Sequence, residues 1–578
     1  MKRSLPRSSI SRLALAALLA LVVAPFPATS GVATSSGSAW LSNVPATNSV
    51  VSSPTVGGGY PDPSLSPAAG TCRAGRFDSN HSESWLAVKP ETESLVGNSK
   101  FFFENFSTAY NFYLGSYTIQ NGRATNGILP GYDCTTVGTQ AMPPSWTNTT
   151  DPNVDFDTQG RVYQSVLPFN AYWTNLHPNG EITVDYSDDL GRSWVAGNGG
   201  MPLEKVSNES SFSFHFEDKQ WIAVNHFAKT PNADHVYAMW TVFNGCCNQA
   251  EIREAVSRDR GLTFSPAVTI TPPQVDQQFN TFVYPGIASD GTVYIAYAAF
   301  PNRGGNSPGQ TTKLSTLFVA KSTDDGSTFS SFVPAATVGL KDGDAGLLAN
   351  TTFRDGIIQS FAVSPTYPGH LYLTYEDWDG KQFDIKFTQS TDGGTSWSNP
   401  VVVNDNVDPA GTSTDQFQPS VAAGRGGAVA VAFYDRRAAC PKNSSVISQE
   451  VGRTNFCIDV SVQAYKDSGA GAVPIGHNVR ASNYTWDPQQ PGLLVNADGT
   501  TQDLQKRGGL GQMACSGHDD PCTKSFIGDY FGLAISNGNV YTLSVSTHYG
   551  SGIADDNGQQ LYYQQQVLGT ISRASLGI

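Results

Sequence analysis

Short strands and glycine-containing turns alternate along most of the chain. Residues 181–186 and 384–388 are rich in β-branched and aromatic side chains, which favour strands. A second pattern places a strand, an Asp-Gly or Asn-Gly turn and another strand in succession, as in residues 286–294 and 532–541. Together the two patterns predict seven units of about four strands each.

One turn, called here the repeat turn, has the consensus Ser-x-Asp-x-Gly-x-Ser/Thr-Trp/Phe and occurs at residues 187–194, 257–264, 322–329 and 390–397. Degenerate copies lie at residues 118–122 and 465–469, and the glycines of the six copies are 69, 70, 65, 68 and 75 residues apart. Four-stranded units at such a period are blades of a β-propeller. The sequence therefore predicts an all-β fold, a β-propeller of four-stranded antiparallel blades, with seven blades favoured and six as the alternative.

The residues of the repeat turn suit a tight hairpin. Glycine accepts the positive φ of the turn, while the aspartate and the hydroxyl side chains can bond nearby backbone amides. The final aromatic residue can cap the sheet core. We therefore expect a structural role, rather than metal or substrate binding, for Asp189, Gly191, Asp259, Gly261, Asp324, Gly326, Asp392 and Gly394.

The composition supports this fold class and excludes others. The 578 residues include 35 Lys and Arg against 49 Asp and Glu, a net charge of −14, and 57 Gly and 34 Pro. A disordered chain would have fewer aromatic residues than the 11% found here, and a helical protein would tolerate less Gly and Pro. The acidic balance excludes nucleic acid as a partner, because no basic surface exists to attract phosphates.

The N-terminal residues resemble a secretory signal. Four basic residues precede an apolar stretch at residues 13–23, which is too short to span a bilayer, and prolines and small residues follow it. The sequence predicts a signal peptide at residues 1–30, secretion to the extracellular space and no membrane span. Residues 31–78, rich in Ser, Gly and Pro, are expected to be a leader or linker, and residues 79–578 the propeller, with a surface insertion at 476–525.

The eight cysteines fit an oxidising destination. Two pairs are close enough in sequence to form local disulfides, and a third could link residues on either side of the first unit. The candidate pairs are Cys440 with Cys457, Cys515 with Cys522, and Cys72 with Cys134. The adjacent cysteines at residues 246 and 247 leave several connectivities open.

The repeat turn resembles the Asp box, or BNR repeat, of the sialidase (neuraminidase) superfamily, and the chain resembles secreted bacterial members over roughly residues 80–575. The resemblance implies action on extracellular glycans, including exo-sialidase hydrolysis of terminal sialic acids. Such sialidases use three arginines to clamp a carboxylate, a tyrosine activated by a glutamate, and an aspartic acid/base. Their usual Arg-Ile-Pro element is absent here, and residues 353–356 are the nearest match. A non-catalytic, protein-binding or surface propeller therefore stays the alternative.

Polar residues stand at the predicted starts of the first strands. In a propeller the first strand of each blade lines the central channel, so residues at these starts gather at one mouth. We expect the following to bind substrate there: Glu83, Asp151, Lys219, Asp415 and Asp529. A glycosidase carboxylate pair, an oxygen-liganded cation and simple capping of the strands are the three alternatives that the residue types leave open.

The candidate catalytic residues follow from the same positions. Arg354 and Arg436 could clamp a carboxylate, Tyr530 could act as nucleophile, and Asp218 or Asp355 as acid. Acidic residues at 341–344 and 376–380 lack the bidentate glutamate of an EF-hand, so no cofactor or metal is predicted, with calcium left open. The expected partner is an extracellular glycan or glycoprotein, and the expected state a monomer.

Overall fold

The structure is a computed structural model. It describes residues 39–52, 60–61, 72–73, 81–102, 112–128, 148–169, 180–206, 215–244, 249–271, 279–300, 313–341, 348, 351, 353, 355, 359–408, 410–440, 455–488, 493–495, 501–503, 514–515, 525–554, 560–562 and 564–578.

The described residues form seven four-stranded antiparallel blades, which confirms the predicted fold and decides between seven and six. Blade 1 contains His81–Val88, Leu95–Phe102, Phe112–Gln120 and Arg123–Ile128. Blade 2 contains Asn148–Phe156, Val162–Phe169, Gly180–Ser187 and Val195–Ala196, with Glu204–Val206 also paired to its third strand. Blade 3 contains His215–Val224, Val236–Asn244, Gln249–Ser257 and Val268–Thr269.

The remaining blades repeat the same order. Blade 4 contains Phe279–Ile287, Val293–Phe300, Lys313–Ser322 and Ser330–Leu340. Blade 5 contains Ser360–Val363, Leu371–Trp378, Phe383–Ser390 and Val401–Val402. Blade 6 contains Gln416–Gly424, Ala428–Asp435, Asp459–Asp467 and Ala472–Arg480. Blade 7 contains Gly532–Ile535, Asn539–Ser546, Gln565–Ser572 and Thr47–Val50.

Among the described residues, four short hairpins lie outside the blades: Tyr60–Pro61 with Cys72–Arg73, Leu493–Val495 with Thr501–Asp503, Ala514–Cys515 with Ser525–Phe526, and Gly550–Ala554 with Gln560–Tyr562. The α-helix Arg573–Leu576 and the 3₁₀ turns Asn198–Gly200 and Arg425–Gly427 are equally short. Among the described residues, no helix has the length and apolar character needed to cross a membrane.

The outermost strand of blade 7 comes from the N-terminal part of the chain. Thr47–Val50 pairs with Gln565–Ser572, and the Ser52 hydroxyl donates to Gln565 Oε1 at 2.8 Å. These residues fall inside the stretch that the sequence predicts as a leader or linker. That interpretation needs correcting for residues 47–50, because their backbone groups complete a sheet that would otherwise end in an open edge.

The hydrophobic core consists of the faces that neighbouring blades press together. The second strand of blade 6, Ala428–Asp435, is buried along its whole length, whereas Val401 and Val402 in the outermost strand of blade 5 are exposed. Because inner strands are covered on both faces, they are apolar nearly throughout rather than in alternation. Each fully buried Val, Leu or Ile of such a strand contributes about 1.5–3 kcal/mol to the free energy of unfolding.

The four repeat turns share one set of hydrogen bonds. In the turn of blade 5, Gly394 N donates to Ser390 Oγ at 2.9 Å, and the Ser396 amide and hydroxyl donate to the Asp392 carboxylate at 2.9 and 2.6 Å. The turns of blades 2, 3 and 4 repeat these contacts around Asp189, Asp259 and Asp324. The hydrogen bonds from Ser396 lower the pKa of Asp392 to about 2.

Each repeat turn also contacts the preceding blade. Arg260, in the turn of blade 3, donates through Nε to Asp157 of blade 2 at 2.8 Å. Asp325, in the turn of blade 4, accepts hydrogen bonds from Tyr237 at 2.5 Å and Arg258 at 2.7 Å, both on blade 3. The turns therefore join blades as well as strands.

One predicted disulfide is confirmed. Cys440 and Cys457 are bonded, with their Cα atoms 4.7 Å apart, in the connection between the second and third strands of blade 6. Cys134 and Cys522, and the side chains of Cys72 and Cys515, lie outside the described part of the chain. The insertion predicted to start at residue 476 begins later, because Ala472–Arg480 is the fourth strand of blade 6.

Candidate functional site

The first strands of five blades carry the same irregularity near their starts. The pairing register with the second strand shifts at one point in each, which marks a β-bulge. The residue at the bulge has a left-handed backbone although it is not glycine: Glu83 (φ 49°), Asp151 (58°), Lys219 (52°), Phe282 (57°) and Gln418 (47°). Such bulges re-aim side chains and cost about 1–3 kcal/mol of strain each. The end of the channel around these residues is called the channel mouth below.

Buried amide side chains hold the bulges in place across blade boundaries. Gln220 Nε2 donates to the carbonyls of Thr150 and Asp151, both at 2.9 Å. Gln359 donates to Phe282 O at 2.6 Å, and Gln418 to Gly528 O at 2.7 Å. Gln220 and Gln359 thus satisfy backbone carbonyls at the bulges of blades 2 and 4 from the neighbouring blade, which helps to fix those two strained conformations.

Lys219 is the centre of the first charge cluster of the channel mouth. Its Nζ lies 2.8 Å from Asp529 Oδ2 and 3.9 Å from Asp151 Oδ1, and its backbone N–H donates to Asp151 Oδ2 at 3.0 Å. Burial acts to lower the pKa of Lys219, but Asp151 and Asp529 outweigh it and raise that pKa well above its ordinary value. The lysine is therefore a permanent cation between two carboxylates.

Glu83 and Lys100 form a second buried ion pair in the same cluster. Lys100 Nζ lies 2.8 Å from Glu83 Oε2, and Asp529 N donates to Glu83 Oε1 at 3.4 Å. Burial raises the pKa of Glu83, and Lys100 opposes that rise. Three acids thus share two ammonium groups, which leaves an acidic surplus at the mouth.

A carboxyl pair, Asp355 and Glu376, lies beside this cluster. Glu376 Oε2 accepts a hydrogen bond from the backbone N–H of Gln418 at 2.8 Å. Among the described residues, no N–H group reaches either oxygen of Asp355 or the other oxygen of Glu376. Burial raises the pKa of Glu376 to about 8, and burial together with Glu376 raises that of Asp355 well above its usual range. Two adjacent buried carboxyls in this state retain a shared proton at neutral pH.

Aromatic rings form the floor beneath these charges. The ring centroids of Trp221 and Tyr284 are 4.2 Å apart, and Trp85 and Tyr530 meet the Trp221 ring edge-on at 4.7 and 5.1 Å. The rings of Trp221, Tyr284 and Tyr530, together with Phe282, border a small cavity that also touches Asp151 and Lys219. The channel mouth is therefore a polar rim over an apolar floor, an arrangement that suits the polar edge and apolar face of a sugar ring.

Most of the predicted site residues meet at the channel mouth. Glu83, Asp151, Lys219 and Asp529 lie in the first cluster, and Asp355 lies in the carboxyl pair. Tyr530 lies below them, with its hydroxyl donating to Pro152 O at 3.2 Å, and burial raises its pKa well above the usual range. Arg354 lies outside the described residues.

Three predicted residues stand at the margin of the mouth. Asp218 precedes the bulge of blade 3 and accepts the Lys219 amide at 2.9 Å. Arg436 is buried and donates to Phe456 O at 2.8 and 3.1 Å, and its Nη1 lies 4.0 Å from Asp415. Burial lowers the pKa of Arg436 to about 10. Its guanidinium is directed to the backbone of its own blade in this structure.

Two charged residues of the channel mouth were not among the predicted site residues. Lys100 and Glu376 lie near the ends of second strands, whereas most of the predicted site residues stand at the starts of first strands. Arg436, which directly follows the second strand of blade 6, is the exception among the predicted residues. Glu376 lies near the corresponding strand end of blade 5, one residue before the position that matches Tyr434, so polar residues at the ends of all second strands are the signal that could have found it.

The described residues contain one group close enough to hold a metal ion. It consists of Cys440, Cys457 and Asp487. Because the two cysteines form a disulfide, their sulfurs are not available as thiolate ligands.

Comparisons with known proteins leave the activity of the chain unassigned. Neither a protein-family model nor a curated protein matches the chain. Solved structures that match include the Hadza microbial sialidase Hz136, with 15% identity, a TM-score of 0.39, and coverage of 61% of this chain and 63% of that one. The chain thus spans less than two thirds of the length of this sialidase.

Two further solved structures that match are enzymes named for other activities. The α-L-arabinofuranosidase Arb93A from Fusarium graminearum has 12% identity and a TM-score of 0.35, with coverage of 74% of this chain and 94% of that one. A PL25 ulvan lyase has 11% identity and a TM-score of 0.38, with coverage of 84% and 94%. At this level of similarity, none of these likenesses assigns a reaction or a substrate to the chain.

Proposed function

We propose that this chain is a secreted propeller that acts on extracellular glycans at the channel mouth, by acid–base hydrolysis of a glycosidic bond. One observation supports the proposal above the others: carboxyl groups in two different states lie at one mouth. Burial raises the pKa values of Asp355 and Glu376, which favours their protonated forms, while Asp529 is ion-paired with Lys219. Glycosidases use such a pair, one carboxyl as proton donor and one as base or nucleophile.

The residues would divide the reaction between them. Glu376, with a pKa of about 8, holds a proton at neutral pH and can donate it to the leaving oxygen of the glycosidic bond. Asp529 can accept a proton from water or attack the sugar, with Lys219 stabilising its charge. The floor of Trp221 and Tyr284 can pack against the apolar face of the sugar ring.

The charge balance bears on which glycan is bound. The acids of the mouth outnumber its lysines, and Arg436 bonds a backbone carbonyl. An uncharged sugar suits such a mouth better than a sialic acid, whose carboxylate needs unoccupied cations. Sialic acid hydrolysis, the finer prediction from the sequence, depends on Arg354 and on release of Arg436 from Phe456.

The test is turnover of a panel of fluorogenic glycosides, uncharged and sialylated, by the purified full chain. We expect Glu376→Gln to reduce turnover about 10²–10⁴-fold, the usual contribution of a general acid. The matched control is Glu254→Gln, which changes another buried carboxyl of raised pKa, in blade 3 beside the repeat turn of blade 4. Turnover of no glycoside by the native chain, or equal losses in both variants, would contradict the proposal.

A second candidate function is non-catalytic glycan binding, and one observation counts against the tyrosine nucleophile of a sialidase-like reaction. The Tyr530 hydroxyl is bonded to Pro152 O and lies within the aromatic floor, so no free nucleophile faces the mouth from this residue. Retention of the native chain on a glycan array without turnover of the same glycans would select this function over hydrolysis.

A further inference from the structure

A short irregular segment, residues 526–530, lies at the channel mouth directly before the first strand of blade 7 and is called the mouth segment below. All of its residues are buried, and none belongs to a strand of a blade. The segment carries Asp529, the carboxylate that the proposed function uses as base or nucleophile. Whatever holds the segment therefore also fixes the position of that carboxylate.

The two blades that flank blade 7 hold the backbone of the mouth segment. On the side of blade 1, Glu83 N donates to Ile527 O at 3.2 Å. On the side of blade 6, Gln418 Nε2 donates to Gly528 O at 2.7 Å. The two carbonyls immediately before Asp529 are thus bonded from two directions, because each lies against a different neighbouring blade.

Gly528 occupies a position in this segment that requires glycine for two reasons. Its φ is +109°, a backbone conformation that residues with a Cβ atom rarely adopt. A Cβ at this position would also lie 2.5 Å from Glu83 N and 2.6 Å from Glu83 Cα. Both are backbone atoms of blade 1, which cannot turn aside as the end of a side chain can. A side chain at position 528 must therefore displace the mouth segment or the strand that contains Glu83.

Asp529 is sensitive to such a displacement because its own contacts are made to the same surroundings. Its Oδ2 lies 2.8 Å from Lys219 Nζ, and its N–H donates to Glu83 Oε1 at 3.4 Å. A shift of the segment would separate the carboxylate from the ammonium group. In an enzyme, a misplacement of about 1 Å can reduce the rate about 10²-fold.

We infer that Gly528 is a positioning residue for Asp529, and that Gln418 assists it by holding the Gly528 carbonyl. The glycine lets the mouth segment lie against the backbone of Glu83, which places the Asp529 carboxylate beside Lys219. The effect on catalysis rests on the proposed function, in which Asp529 is base or nucleophile. The effect on the ion pair with Lys219 does not rest on it, so the two can be tested separately.

The first measurement compares two glycine variants of the full chain on a glycoside that the native chain turns over. We expect Gly528→Ala to lower kcat about 10²-fold and to change KM less than about twofold, because the carboxylate moves while the binding surface stays. The matched control is Gly427→Ala, in the turn after the first strand of blade 6, at the other end of the channel. Gly427 has φ +74°, and a Cβ there would overlap the carbonyl oxygen of Asp467. This variant should lose stability and keep kcat.

The second measurement is a double-mutant cycle on stability, which needs no turnover. Lys219→Met removes the partner of Asp529. If Gly528→Ala has already displaced that carboxylate, the double variant loses less unfolding free energy than the two single variants together. Lys219→Met and Gly427→Ala should be additive, because these residues lie at opposite ends of the channel.

If Gly528→Ala does not fold, Gln418→Met replaces it in both measurements, since that change removes one hydrogen bond and leaves the backbone free of a new contact. Its expected loss in kcat is about tenfold. The matched control is Gln389→Met, because Gln389 of blade 5 also donates across a blade boundary, to Ala472 O of blade 6 at 3.0 Å, away from the mouth.

The outcomes distinguish this inference from the proposed function. Non-additive losses with Lys219→Met, together with a loss in kcat that Gly427→Ala does not share, would support it. Additive losses, or equal kcat values in Gly528→Ala and Gly427→Ala, would overturn it. A native chain that turns over no glycoside contradicts the proposed function, and the cycle then decides by itself whether Gly528 positions Asp529.

Discussion

The channel mouth and the repeat turns both depend on aspartates, but their partners come from different distances along the chain. In the repeat turn of blade 5, Asp392 is bonded by Ser390 and Ser396, both within four residues. At the mouth, Lys219 and Asp529 pair across 310 residues. Because the hydrogen-bond donors of Asp392 are close in sequence, the turn can form without the rest of the fold. Lys219 and Asp529 come from distant parts of the chain, so they meet only when the ring of blades is closed.

The two regions also differ in how they treat charge. The turn aspartate Asp392 is exposed, and its hydrogen bonds lower its pKa, so ionisation stabilises the fold there. The carboxyls of the mouth are buried and their pKa values are raised, as for Glu376. Ionised acids are thus favourable in the turns and costly at the mouth, which is typical of the difference between scaffolds and functional sites.

The largest expected effect on stability comes from removing the central cation of the channel mouth. Lys219→Met removes the cation between Asp151 and Asp529 and leaves both acids buried with one fewer partner. We expect a loss of about 3–5 kcal/mol in the free energy of unfolding, measured by denaturant titration. The control is Arg192→Met at the exposed repeat turn of blade 2, where the expected loss is below about 1 kcal/mol. Equal losses would contradict the contrast between the regions.

The next largest effect is a difference in stability between alanine substitutions at two glycines that share a left-handed backbone conformation. Gly326, in the repeat turn of blade 4, has φ +79°, and a Cβ there would lie 2.9 Å from Glu254 Oε1. Gly122, in the degenerate turn of blade 1, has φ +72° and no atom within 4 Å of its Cβ position. We expect Gly326→Ala to cost about 2–3 kcal/mol and Gly122→Ala about 1 kcal/mol in unfolding free energy.

This comparison separates backbone strain from contact with the preceding blade. If both variants lose the same unfolding free energy, Gly326 is not in close contact with Glu254 of blade 3, contrary to the structure. Thermal unfolding of the two variants, followed by circular dichroism, measures the difference.

The smallest expected effect is a pH dependence of opposite sign in the two regions. The folded pKa of Glu376 lies above its unfolded value, so its contribution is complete below about pH 4.5 and is lost as the pH rises through about 8. The folded pKa of Asp392 is depressed, so its contribution is present above its unfolded pKa and is lost as the pH falls towards about 2.

Melting temperatures between pH 2 and pH 9 would check these two windows. Glu376→Gln should flatten the alkaline decline, and Asp392→Asn should flatten the acid decline, each without altering the other limb. If Glu376→Gln altered the acid decline, or Asp392→Asn the alkaline decline, other groups would control the pH dependence of the melting temperature.

Much of the fold was predictable because its determinants are local and periodic. The spacing of the repeat turns predicted the blades, since glycine, aspartate and hydroxyl residues mark each hairpin. The closing strand at residues 47–50 was missed, because its partner lies at the other end of the propeller and a four-residue strand in a Ser-rich stretch has no pattern of its own.

The site was predictable in part for the same reason. Charged starts of first strands pointed to Glu83, Asp151, Lys219 and Asp529, which do meet at the mouth. The bulges could not be predicted, because the left-handed residue differs in type at each of the five positions, and two of the bulges are held by glutamine side chains of adjacent blades. Arg436 could not be assigned either, since its partner Phe456 O is a backbone atom.

The closing strand sets an order of events during biosynthesis. Thr47 pairs with Thr570, so the ring stays open until nearly the whole chain has been made. At about 5–20 residues per second, a ribosome needs roughly 25–100 s to bridge that interval. For that time Thr47–Val50 lacks its partner, because the other three strands of blade 7 have not yet been made, and an unpaired strand of this kind can pair with another chain.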